Sequence, residues 1–199
     1  MPQDFFPLAT LDIPKLRELL AALYGQNDPS ERWDQALRVT RVALGFIESE
    51  QAETKDVDID TVAGLALVFL VRHKILPTLR MRASVEAYFV SQGWTAVRSR
   101  QLMQGLERLL DKPSSIEEKL VADAEAWTRL GVLGFARTSV TSGALGQQLE
   151  TIAEQLHKNI HRRMFTRVAQ SRSIALREEL RDMLSRLRKV FDDEGALGA

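Results

Sequence analysis

His157 and His161 stand four residues apart, a spacing that sets two imidazoles on one helix face and can chelate zinc. No Glu follows His157 directly, so the pair is not a zincin motif, and Lys158, Arg162 and Arg163 would repel a cation. A solvated or partly buried pair, or contact with an anion, fits these neighbours better than zinc. Glu31, Gln35 and Arg38 share a helix face at i, i+4 and i+7. They offer an acid, an amide and a guanidinium, which suits a hydrogen-bonded polar pocket or an ordinary ion-paired surface. From His157 to Phe191 ten Lys/Arg stand against three Asp/Glu, a net +7 that the rest of the chain balances. That stretch reads either as a solvated helix with i±3 and i±4 pairs or as a docking surface for phosphates or an acidic protein. Lys158, Arg162, Arg163 and Arg167 are the candidate contacts for the second reading.

Several chemistries are excluded or disfavoured. The chain has no cysteine, so disulfides, thiolate metal sites and a Cys nucleophile are out. Residues 48–60 hold six acids and one Lys but lack the Gly and ligand spacing of a calcium loop, and read as a solvated loop. Gly131-Val132-Leu133-Gly134 and Gly143-Ala144-Leu145-Gly146 lack the Gly-Lys-Ser/Thr of a phosphate loop. No Gly-x-Ser-x-Gly elbow is present. Trp33, Trp94 and Trp127 read as core packing rather than base-stacking platforms.

The elements that must position these residues are helices. Asp12 caps a helix with Pro14 in its first turn and Leu16, Leu19, Leu20 and Leu23 on one face, and Gly25 to Pro29 breaks it. Ser30 caps a second helix running to about Ser49. Asp60 or Thr61 caps a very apolar helix from Val62 to about Ile75, limited by Pro77. Helical patterns follow at about 79–91, 95–111, 116–130, 145–161 and 166–191, with Gly131 to Gly134 among the breaks. No strand-like alternation and no internal repeat interrupts them. The expectation is an all-α protein, a single compact domain of seven to eight helices, from 199 residues. It divides into residues 1–27 (irregular segment and helix), 28–165 (helical core) and 166–199 (a long basic helix on the core, with a short tail). Ile174, Leu180, Met183, Leu184, Leu187 and Val190 form the apolar stripe of that last helix, which packs on its own domain or pairs with a second copy.

Lys plus Arg and Asp plus Glu are each 27, so the formal charge is zero and a generally basic nucleic-acid binder is not expected. The N-terminus lacks a basic region followed by an apolar core. The apolar run from Val62 to Val71 is about half of the ~20 residues a bilayer span requires. A soluble cytoplasmic protein with no membrane partner is the expectation.

Residues 113–137 carry a family signal. Pro113-Ser114-Ser115-Ile116-Glu117-Glu118-Lys119, then Asp123-Ala124-Glu125, then Arg129-Leu130-Gly131 and Gly134-Phe135-Ala136-Arg137, resemble the distal segment of the HD-domain phosphohydrolases. Glu31-Arg32-Trp33-Asp34-Gln35-Ala36-Leu37-Arg38-Val39 resembles that family's opening His-Asp-x-x-His-x-x-Arg-Val, and Met164 to Ala169 with Arg172 resembles its closing region. The likeness spans about residues 28–190 in the family's order.

The resemblance implies an all-helical HD-type fold and a metal-dependent phosphohydrolase ancestry, in which imidazoles and carboxylates converge on one cation. Against that pattern the opening metal His falls at Gln35. The paired His-Asp falls at Phe69-Leu70, or one helical turn later at His73-Lys74, and both registers stay open. Asp123 retains the last ligand, Glu125 replaces a following acid and Thr128 another. Asp123, Glu125, Gln35, Glu31, Arg38 and His73 are therefore vestigial site candidates. The implied function is a catalytically silent HD-like domain acting as a binding or regulatory module, with no metal or other cofactor and an unknown protein or phosphate-bearing ligand as partner. Two alternatives remain: an atypical metal-dependent phosphohydrolase on nucleotides or phosphomonoesters, the one case calling for a divalent metal, and binding of nucleic acid or an acidic partner through the basic C-terminal helix.

Overall fold

The computed structural model describes residues 10–24, 32–49 and 56–197. Glu31, the Ser30 cap and residues 50–55 of the acidic 48–60 segment lie outside the described residues. The described residues form ten helices and no strand: α1 (Ile13–Leu20), α2 (Trp33–Ser49), α3 (Ile59–Phe69), α4 (Arg72–Ile75), α5 (Leu79–Ser91), α6 (Ala96–Arg108), α7 (Ile116–Trp127), α8 (Gly131–Ala144), α9 (Leu149–His161) and α10 (Arg167–Leu197).

The most apolar segment takes the centre. Every residue of α3 from Val62 to Phe69 is buried, and α3 packs against α2, α6 and α7. The helix starts earlier than the sequence suggests. Asp58, not Asp60 or Thr61, is its N-cap and accepts from the Thr61 backbone N–H at 3.2 Å. Asp60 instead accepts from the backbone N–H and hydroxyl of Thr10 at 2.9 and 2.6 Å, which ties the chain before α1 to α3. The helix also stops earlier. Arg72 Nη1 donates to the Phe69 carbonyl at 3.0 Å, satisfying an acceptor that a continued helix would have used, and the chain turns into the short α4.

One further difference matters for the site. Residues 131–144, where the glycines suggest a break, form the helix α8. Gly131, at φ +65°, makes the α7–α8 corner, and α8 begins there. At Gly134 a Cβ would lie 2.1 Å from the Arg129 carbonyl carbon, so the glycine lets α8 pass directly over the end of α7. With α4 and α8 added, the count rises from the expected seven or eight helices.

The final helix lies against α7, α8 and α9. Leu180 and Leu184 of its stripe are buried, whereas Ile174 is 59 % exposed. Arg177 anchors it from the side, donating to the carbonyls of Ile160 and Arg162 at the open end of α9. The three tryptophans pack against other rings: Trp33 on Tyr24, Trp94 on Phe89 and Trp127 on Phe46. Among the described residues no helix is long and apolar enough to cross a membrane.

Candidate functional site

α7 brings two carboxylates into the interior. Asp123 is fully buried. Its Oδ1 accepts from the Phe165 backbone N–H at 2.7 Å, and its Oδ2 from the backbone N–H and hydroxyl of Thr166 at 2.8 and 2.7 Å. These donors are at the corner between α9 and α10, and Asp123 fastens that corner to the core. Burial pushes the Asp123 carboxyl above its ordinary value, against the pull of the Thr166 and Phe165 hydrogen bonds.

Glu125, 2 % exposed, is enclosed by guanidinium groups. Arg129, one turn on, hydrogen-bonds to its Oε1. Arg162 Nη1 stands 2.5 Å from Oε2 as an ion pair without a directed hydrogen bond. Arg72 lies over the Phe69 ring at 4.2 Å. Burial lowers the Arg72 pKa; Glu125 opposes that, while Arg162 and Arg129 add to it. Three guanidinium groups thus share the field of one carboxylate.

Above this layer is a cleft of about 490 Å³. Its base includes Gln35, Leu70, Thr128 and Arg129, with Arg32 and Asp34 beside them at the start of α2, and its wall is the face of α8 carrying Leu133, Arg137, Val140 and Thr141. Gln35 Nε2 donates to Thr128 Oγ1 at 3.2 Å, and that hydroxyl donates to the Glu125 carbonyl at 2.8 Å. Arg137 Nη1 is buried and has no hydrogen-bond partner.

The residues singled out in the sequence are thus only partly brought together. Gln35 lines the cleft, and Glu125 is linked to it through Thr128 and Arg129. Asp123 faces the other way, toward the α9–α10 corner. Arg38 is half-buried on α2, His73 is exposed, and neither lines the cleft. Lys74, from the alternative register, donates through Nζ to the Leu23 carbonyl at 2.8 Å. The proposed docking group divides: Lys158, Arg163 and Arg167 are exposed, but Arg162 turns inward to Glu125. His157 and His161 are exposed with ring centroids 4.5 Å apart. Among the described residues no three His, Asp or Glu side chains group closely enough to hold a metal ion.

Sequence reasoning missed Arg72, Arg129 and Arg137 as site residues. The i, i+4 spacing of Glu125 and Arg129 was a visible signal; the approach of Arg72 and Arg162 from other helices was not.

No protein-family model matches this chain, and no curated protein matches it. Solved structures do. Bacillus subtilis YpgQ in complex with ADP is 19 % identical with a TM-score of 0.63, covering 88 % of this chain and 96 % of that one. The Lin1889 protein of Listeria innocua is 16 % identical at a TM-score of 0.65, over 88 % and 97 % of the two chains. A protein from Lactobacillus plantarum is 14 % identical at a TM-score of 0.67, over 92 % and 99 %. At these identities the likeness is one of fold.

Proposed function

We propose that this chain is a catalytically silent HD-type helical domain that acts as a binding or regulatory module. The observation that carries the reading is the engagement of its two buried carboxylates by the protein itself. Both oxygens of Asp123 accept backbone N–H groups, and Glu125 lies among Arg72, Arg129 and Arg162. A catalytic divalent cation needs several converging oxygen or nitrogen ligands with free lone pairs. Here positive charge is already supplied by side chains, and a further cation would be repelled by three guanidinium groups. The residues do not fit a resident metal, so no hydrolytic step is derived through one.

The ungapped register supports the same reading. Leu70 lines the cleft, whereas His73 is exposed and Lys74 is bonded to the Leu23 carbonyl. In that register Phe69-Leu70 stands where the family has its paired His-Asp. The cleft gives the domain a place to bind, and YpgQ, of similar fold, is known in complex with ADP. The nucleic-acid alternative loses two of its basic residues, since Arg162 and Arg177 are committed to internal partners.

Phosphate release from nucleotides and phosphomonoesters, assayed with and without manganese, tests the proposal. The expected result is no turnover above the buffer blank. Metal-dependent release abolished by Asp123→Ala would overturn it and favour the phosphohydrolase.

A further inference from the structure

We propose that the cleft between α2, the α7–α8 corner and α8 binds an amphiphilic anion: a phosphate head carrying an aliphatic chain. The inference rests on the binding-module reading and names its ligand class.

The head group is defined by Arg137. Arg137 lines the cleft beside Thr141 and Ser142, and its Nη1, buried beneath the cleft surface, has no hydrogen-bond partner. A buried guanidinium N–H left unpaired is costly, and an anionic oxygen is its strongest complement. Arg32 and Arg129 add positive charge to the lining, with Asp34 the one acid beside them. Arg129 is already paired with Glu125, whereas Arg137 Nη1 has no hydrogen-bond partner.

The tail is defined by what surrounds that charge. Leu133, Val140 and Leu145 line the same cleft and are 63 %, 62 % and 58 % exposed, a large aliphatic surface to leave in water. Leu133 and Val140 flank Arg137 on one face of α8 at i−4 and i+3, and Leu70 adds to them from the other side. Among the described residues lining the cleft there is no Phe, Tyr or Trp. A purine would find no aromatic ring to stack on, whereas a methylene chain would find Leu133, Val140 and Leu145 on one side and Leu70 on the other. The volume, about 490 Å³, lies within the range of small-ligand clefts.

The test is isothermal titration with inorganic phosphate, ADP and n-alkyl phosphates from two to eight carbons, all below their micellar concentrations. The expected result is affinity that rises about threefold to fourfold per methylene, the fold-change given by ~0.8 kcal/mol per buried CH₂. Every alkyl phosphate should exceed inorganic phosphate, and octyl phosphate should exceed ADP. Arg137→Gln should weaken the whole series at least tenfold. Leu133→Asn combined with Val140→Asn should flatten the dependence on chain length and spare the shortest member; both side chains are exposed, so the fold does not depend on them. ADP or inorganic phosphate binding as tightly as octyl phosphate would overturn the amphiphile and leave the cleft a binding site. A series unaffected by Arg137→Gln would place binding elsewhere and overturn the proposal. No binding by any member would overturn both this proposal and the cleft's role as a binding site.

Discussion

Glu118 and Asp123 are both buried on α7, and their partners give them opposite behaviour. Burial alone would raise Glu118. The Arg108 guanidinium, with hydrogen bonds of 2.5 to 3.1 Å, and the Ser114 backbone N–H at 2.7 Å outweigh it and hold the carboxyl below its ordinary value. Asp123 is met chiefly by neutral donors, so burial prevails and its carboxyl is raised. Linkage then fixes two signs. The depressed Glu118 adds stability above the unfolded carboxylate value, and that stability is lost as pH falls through its lower folded value. The raised Asp123 works the other way: its ionised form costs stability above its folded value, and the cost disappears as pH falls through it. Glu118→Gln should therefore remove part of the acid-induced loss of stability, and should cost about 2 kcal/mol at neutral pH, read by urea unfolding across the pH range. An acid limb unchanged by this substitution would contradict the assignment. Asp123→Asn tests the second carboxyl. Both oxygens accept backbone N–H groups, so an amide NH₂ must oppose one of them, and a loss of about 1–3 kcal/mol is expected. A variant as stable as the parent would show that Asp123 does not hold the α9–α10 corner.

At the scale of elements, the α7–α8 corner sets the shape of the cleft. Gly134→Ala would drive a methyl against the Arg129 carbonyl carbon at 2.1 Å, a backbone contact that cannot rotate away. It should cost about 2 kcal/mol or more in thermal or urea unfolding, and a neutral outcome would mean that α8 does not pass so closely over α7. Arg177→Met should loosen α10 from α9 and raise amide hydrogen exchange at the Arg162–Thr166 corner, since the carbonyls of Ile160 and Arg162 would lose their donor. Unchanged exchange there would contradict the anchoring role. These elements also show what a sequence discloses. The Asp12 cap with Pro14 and the apolar run that starts at Val62 are local signals, and both appear in the structure. Helix α8 was hidden because Gly131 and Gly134 read as breakers, whereas one turns the corner and the other permits a close pass. The early end of α3 was hidden because it depends on Arg72 reaching back to the Phe69 carbonyl.

At the scale of the molecule, the all-helical architecture was legible from periodicity, and the site was legible only in part. Gln35 and Glu125 emerged from a resemblance of motifs, and they do border or support one cleft. The charge that surrounds Glu125 was not legible, because Arg72, Arg129 and Arg162 come from the α4, α7 and α9 regions and meet only in three dimensions. The fold shared with YpgQ and the Listeria and Lactobacillus proteins thus carries, in this chain, an interior in which guanidinium groups supply the positive charge. That account is tested most directly by titrating the purified, chelator-treated protein with manganese and following the heat of binding. It predicts no stoichiometric uptake up to millimolar metal. One manganese per chain bound at micromolar concentration, and lost in Asp123→Ala, would contradict it.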